Sequence, residues 1–162
     1  MAKVATGNQD EALDLVQDAM FTLVKKYSDK PESEWPMLFY RILQNRIRDW
    51  YRRQKVKSRL FSWLNSSQAD DDDEEDLVDK QPDNAPGLIK ALSNERFAEA
   101  LQTALQELPL RQQQVFLLRA WEGLDVKQTA EAMGISDGSV KTHYSRATQA
   151  LQKKLGDFHH VE

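Results

Sequence analysis

Between Trp35 and Arg59 the chain sets Arg41, Arg46, Arg48, Arg52, Arg53, Lys55, Lys57 and Arg59 against a single acid, Asp49. Cations at that density bind a polyanion by displacing its condensed counterions. Interleaved with them are Phe39, Tyr40, Trp50 and Tyr51, and rings of this kind stack on unpaired bases for about 1–3 kcal/mol each. Together, cations and rings suit single-stranded or melting nucleic acid. The plain alternative is a helix with an apolar stripe and a solvated basic face, in which the rings belong to an ordinary core. A second signal is needed to choose.

That signal lies near the C-terminus, in VKQTAEAMGISDGSVKTHYSRATQALQKKL. The pattern predicts a short helix near Val126–Met133, a turn at Gly134 through Ser136-Asp137-Gly138, and a longer helix from about Ser139. Ala130 is small where two helices must approach closely, Gly134 can take a left-handed turn, and Ile135 and Val140 can fill the wedge between helices. The second helix would turn Lys141, Thr142, His143, Ser145, Arg146 and Gln149 outward, with Lys153 and Lys154 beyond and no acid before Asp157. Such a helix can enter a major groove and read base edges with its N-terminal half. A plain helical hairpin in a bundle is the alternative, and the acid-free exposed face argues against it.

The elements that hold these residues are all predicted to be helical. Asn8 can cap a helix from about Gln9, with Asp10 and Glu11 in its first turn, where the helix dipole favours acids. Ala12, Leu13, Leu15, Val16, Ala19, Met20, Leu23 and Val24 then form a broad apolar stripe that ends near Tyr27, while Asp14, Gln17 and Asp18 fall on the exposed side. Pro36 suits the first turn of the basic helix, whose apolar spacing continues to about Arg53. These helices should pack against each other but are thin for a core, and Phe61, Trp63 and Leu64 could supply a short third one. After residues 65–86 comes an amphipathic helix through Phe97, Leu101, Ala104, Leu105 and Leu108, stopped at Pro109, and another over Arg111 to Glu122, closed by Gly123. The fold class is therefore all-α: two small helical domains, the second containing a helix-turn-helix.

Residues 65–86, NSSQADDDDEEDLVDKQPDNAP, are poor in apolar groups and rich in charge, the composition of a flexible linker. This polyanion is either a solubilising spacer or a phosphate mimic that competes for the basic helices. It also explains why a nucleic-acid reading survives a formal net charge of -4. Charge is segregated, so function is read from the segments. No apolar run reaches the roughly 20 residues of a membrane span, and the first residues have no signal-peptide core. The chain has no cysteine, which excludes disulfides and thiolate metal sites and fits a reducing cytoplasm. His143, His159 and His160 are the only histidines, so neither a metal site nor any cofactor is expected.

Taken in order, these segments resemble a bacterial RNA polymerase sigma factor of the sigma-70 superfamily, specifically the extracytoplasmic-function (ECF) group. TGNQDEALDLVQDAMFTLVKKY is similar to the helix that binds the polymerase clamp, with Asp14-Leu15-Val16-Gln17 as its D-L-V-Q core. LFYRILQNRIRDWYRRQK is similar to the helix that melts and reads the minus-ten element. LQELPLRQQQVFLLRAWEGLDVKQTAEAMGISDGSVKTHYSRATQALQKKL is similar to the domain that reads the minus-thirty-five element. The resemblance implies region 2 over 1–64, the linker over 65–86 and region 4 over 87–162.

It further implies that Asp14, Val16, Gln17 and Asp18 contact core polymerase, against the simpler reading of a solvated face. Tyr40 and Asn45 would help capture an unstacked minus-ten base beside Trp50, and Arg46, Arg48, Arg52 and Arg53 would hold strands by their phosphates. Lys141, Thr142, His143, Ser145 and Arg146 would face the upstream groove, supported by Arg119. Implied partners are core RNA polymerase and promoter DNA, with an anti-sigma factor suggested by family habit. The family catalyses nothing and works in the cytoplasm without inserting into the membrane. Two departures stand out: the family's first N-terminal helix is mostly missing here, and Thr142-His143 replaces the Ser-Arg that often follows the recognition-helix lysine.

The rival reading is a LuxR-type helix-turn-helix regulator, whose recognition helix often carries V-K-T-H, as Val140 to His143 do. It would bind duplex DNA and need no melting helix, which the stretch from Tyr40 to Arg59 argues against. An enzyme of nucleic-acid metabolism finds no phosphate loop, carboxylate cluster or metal spacing to support it.

Overall fold

The computed structural model describes residues 1–64 and 95–156, and every described regular element is a helix. The expected linker lies outside the described residues. Helix α1 (Ala2–Thr6) ends at Gly7, whose φ of 67° closes it in the left-handed region. Asn8 then caps α2 (Gln9–Tyr27), its side chain accepting from the Asp10 and Glu11 amides, as its residue type predicts. A single 3-10 turn (Glu32–Glu34) leads into α3 (Trp35–Leu64). The second half holds α4 (Glu95–Gln106), α5 (Leu110–Phe116), a π-helical turn (Leu117–Trp121), α6 (Val126–Met133) and α7 (Asp137–Leu155).

Three expectations change. Phe61, Trp63 and Leu64 form no separate helix, because α3 continues unbroken through Leu64; no glycine or proline interrupts its 30 residues after Pro36. The third helix of the first unit is instead α1, too short for a periodic signal, whose Ala2 and Ala5 are small enough to be buried. Finally, α7 begins at Asp137, since Ser136 supplies the cap to the Ser139 amide and Gly138 tolerates the first turn.

One core joins Ala2, Ala5, Ala12, Leu15, Ala19, Leu43 and Ile47 from α1, α2 and α3. A second gathers Phe97, Leu101, Leu105, Phe116, Leu117, Ala147, Leu151 and Leu155, and a small third cluster of Val115, Ala130 and Val140 locks the helix-turn-helix. Full burial of a Leu or Ile contributes roughly 1.5–3 kcal/mol, so a handful of such residues outweighs the local terms in each unit. The α2 stripe proves wider than its partners can cover. Leu13, Met20 and Val24 of that stripe stay exposed, as does Phe21 beside it at 77%, whereas Ala12, Leu15, Ala19 and Leu23 are buried and Val16 packs partly on the first core.

The two halves are packed together. Met1, just before α1, and Val4 within it lie against the second core, Leu110 of α5 lies against the first, and α3 runs across α6.

Candidate nucleic-acid interface

Helix α3 carries two adjacent stripes with different jobs. Residues 40, 44, 47 and 51 recur at helical spacing and face protein: Ile47 is fully buried, Gln44 nearly so, and Tyr40 and Tyr51 are half-buried. One residue further on, Arg41, Asn45, Arg48 and Arg52 form an exposed stripe, with Arg53 also in solvent. Arg48 donates to Asn45 Oδ1 at 2.8 Å, and Arg52 pairs with Asp49 at 3.1 Å with its side chain 78% exposed. Exposed pairs of this type are worth a few tenths of a kcal/mol, so a phosphate can displace either acceptor at little cost.

Other predicted residues of this helix are tied into the fold. Arg46 is half-buried and donates to Thr22 Oγ1 at 3.1 Å, joining α3 to α2. Trp50 packs on the first core, stands edge-on to Tyr51 at 5.4 Å, and donates its indole N–H to Glu11. Tyr40 donates its hydroxyl to Glu122 Oε2 at 2.6 Å, across 82 residues of sequence. Burial first, then that hydrogen bond and the negative charge of Glu122, push its pKa up to about 12. Burial also raises the Tyr51 pKa.

Since the folded-state pKa of Tyr40 is raised, the stability that its contact supplies is whole below pH 10 and is lost as pH rises through about 12. Tyrosinate absorbance should therefore show a late step near pH 12 that Tyr40→Phe removes. Titration of every tyrosine at its ordinary value would contradict the contact between Tyr40 and Glu122.

On α2, Asp14, Gln17 and Asp18 are exposed on one side of the helix, whereas Val16 is half-buried against the first core. The second cationic face is built around α7. Asp125 and Gln128 form a reciprocal capping box at the start of α6, and Gly134, at φ 66°, turns the chain into α7. Arg119, in the π-helical turn, donates to the Leu124 carbonyl at 2.6 Å and lies 5.4 Å from the centre of the Tyr144 ring, which stacks on Phe116. A guanidinium held at both ends fixes the preceding turn against the recognition helix. Lys141 is exposed, while Thr142, His143, Ser145 and Arg146 are half-buried rather than fully outward. The Thr142 hydroxyl already donates to the Gly138 carbonyl at 3.1 Å, which leaves its lone pairs for a base donor.

Sequence reasoning missed a polar ladder. Gln44 donates to Gln114 Oε1 at 2.9 Å, Gln114 donates to Gln113 Oε1 at 2.7 Å, and Gln113 donates to the Leu105 carbonyl at 3.0 Å. Gln44, Gln113 and Gln114 are only 6%, 0% and 1% exposed, so their amides find partners inside the protein, as buried amides must. The one hint was the triplet Gln112-Gln113-Gln114 leading straight into the apolar run from Val115. Among the described residues, no acidic or histidine cluster could hold a metal ion, and no helix is long and apolar enough to cross a membrane.

Comparison with known proteins agrees with this arrangement. The family model for sigma-70 region 2 matches residues 1–57 and that for sigma-70 region 4 matches residues 98–151. The RNA polymerase sigma factor SigV of Bacillus subtilis is 30% identical over 91% of this chain and 78% of its own length. The ECF RNA polymerase sigma factor SigX of the same organism is 27% identical over 91% and 71%. The sigma-E factor of Streptomyces avermitilis, at 29% identity, is matched over only 60% of its length. In fold, the sigma factor RpoE of Bartonella quintana, solved with the anti-sigma factor NepR, superposes with a TM-score of 0.64 at 20% identity, covering 96% of this chain and 87% of that one. The chain belongs to the sigma-70 family and, within it, to the extracytoplasmic-function group of RNA polymerase sigma factors, which direct transcription initiation. The LuxR-type reading is not supported, since the region 2 match covers the very helices such a regulator lacks.

Proposed function

We propose that this sigma factor works through three surfaces. Asp14, Gln17 and Asp18, with Val16 at their edge, hold core polymerase. On α3, Asn45, Arg48, Arg52 and Arg53 grip the melted minus-ten strand, Tyr40 and Trp50 offer rings to an unstacked base, and Arg46 sets the approach of α3 to α2. On α7, Lys141, Thr142, His143, Ser145 and Arg146 face the minus-thirty-five groove, with Arg119 holding the preceding turn. Region 2 then spans 1–64 and region 4 spans 87–162, joined by the acidic segment 65–86.

One observation carries this reading: a single chain presents an exposed Arg stripe on a long helix and, separately, a capped helix-turn-helix with Lys141 exposed. A duplex-binding regulator needs only the second. No catalysis is required, because binding energy that favours the melted strand offsets the few kcal/mol of base extrusion. The setting is the cytoplasm, where polymerase and promoter are found. An anti-sigma factor is a further partner, by analogy with the Bartonella quintana factor that is solved with one.

The polymerase surface is tested by Asp14→Ala with Asp18→Ala. Both residues are exposed, so the fold should be untouched while core affinity falls by about tenfold or more, the usual cost of losing central interface contacts. Unchanged core affinity would remove these residues from the interface.

A further inference from the structure

Helix α2 leaves one row of its surface uncovered. Leu13, Gln17, Met20 and Val24 follow one another at spacings of four, three and four residues, and all are exposed. That is the spacing by which a helix presents a seam to a second helix. Phe21, beside the row, is more exposed than any of its apolar members. Single apolar residues on a surface need no explanation, but Leu13, Met20, Phe21 and Val24 on one face of one helix form a patch, and a patch marks a contact.

Charge along the same face indicates the partner. The residues that follow those of the row, Asp14, Asp18, Phe21 and Lys25, all fall on the same flank of it. Acids occupy the N-terminal end of that flank and a base the C-terminal end. Asp10, Asp14 and Asp18 stand four residues apart, so like charges repel along the helix. Neither Asp14 nor Lys25 has an ion-pair partner among the described residues. A two-fold axis through the face sets one α2 antiparallel to another. Leu13 then meets Val24 of the second copy, Gln17 meets Met20, and Asp14 comes opposite Lys25, while Phe21 covers the seam beside Gln17. Every contact is made twice, as a self-complementary interface requires. A uniformly acidic or basic partner would satisfy only one end of the flank.

We propose that α2 pairs antiparallel with α2 of a second copy of this chain, through the row Leu13, Gln17, Met20 and Val24 and the flanking pair of Asp14 with Lys25. One helix of 19 residues offers a small interface, so the dimer is weak, with a Kd on the order of 10–100 μM. It forms where the factor accumulates and parts on dilution. The consequence rests on the polymerase surface proposed above: Asp14, Gln17 and Asp18 cannot serve a second copy and core polymerase at once, so only the monomer is open to core.

Sedimentation velocity of the full chain across the micromolar range tests the pairing, at low salt, where exposed charges are least screened. Wild-type protein should pass from monomer to dimer as concentration rises. Lys25→Glu and Asp14→Lys should each raise the Kd by about tenfold, since symmetry replaces two favourable contacts with two repulsive ones. Mixed in equal amounts, the two variants should recover the wild-type Kd as a heterodimer, because one carries two acids at these positions and the other two bases. Val24→Ser should weaken the dimer without any change of charge. All three positions are exposed, so the thermal midpoint of each variant should match that of the wild type.

A chain that stays monomeric throughout would overturn the dimer. So would association that the charge variants leave unchanged, or that their mixture fails to restore. Core polymerase added to the wild-type dimer should convert it to a complex with one copy of the factor. If the dimer persists and core takes up none of it, the pairing stands and the polymerase assignment of α2 fails; if core takes up the dimer intact, the exclusion between the two uses of the face is overturned.

Discussion

Arg48→Ala combined with Arg52→Ala is expected to shorten the life of open promoter complexes by about tenfold to a hundredfold, while duplex binding changes by no more than about threefold. The reason is geometric. Both guanidiniums lie on the exposed stripe of α3 and hold only the weak neighbours Asn45 and Asp49, so their cations are available to the strand that α3 meets once the duplex opens. Two lost phosphate contacts on a single strand should also flatten the dependence of log K on log salt by about 1.4. Neither residue is buried, so the thermal midpoint should stay put. Equal loss of duplex and open-complex binding would remove the melting role from this stripe.

The second large effect is expected from Lys141→Ala with Arg146→Ala. Lys141 sits about one turn into α7, past the Ser136 cap, where a recognition helix presents its base-reading residues. A good contact to a base edge discriminates by about 1–3 kcal/mol, so losing both should bring transcription from a promoter with an intact upstream element down to that of one with the element scrambled. The minus-ten preference should survive, since it belongs to α3. Undiminished dependence on the upstream element would refute the assignment of α7.

What the sequence made legible was whatever a local pattern encodes. Asn8 announced the α2 cap, Gly134 the left-handed turn, Ala130 the close helix approach, and Ile135 and Val140 the wedge, and each does in the structure what its residue type allows. The Arg stripe of α3 followed from spacing alone. By contrast, α1 was invisible because five residues carry no period and two alanines carry little hydrophobic signal. The end of α3 was misjudged because a polar, basic run such as Gln54 to Arg59 looks like a helix end when nothing covers it, yet contains no residue that breaks a helix. The half-burial of Thr142, His143, Ser145 and Arg146 could not be read from the α7 pattern, which places polar residues outward by default. Least legible was the docking of the two halves. Gln44, Gln113 and Gln114 carry no apolar signal, and only their mutual hydrogen bonds, 70 residues apart for Gln44 and Gln114, make burial affordable. No spacing rule connects Tyr40 with Glu122.

The most direct test of the central claim is retention of the purified chain by core RNA polymerase, followed by transcription from a randomised promoter library. A sigma factor of this design should bind core and initiate selectively, with enriched promoters sharing an upstream and a minus-ten element at one spacing. Binding to duplex DNA without association with core, or initiation with no sequence preference, would contradict it.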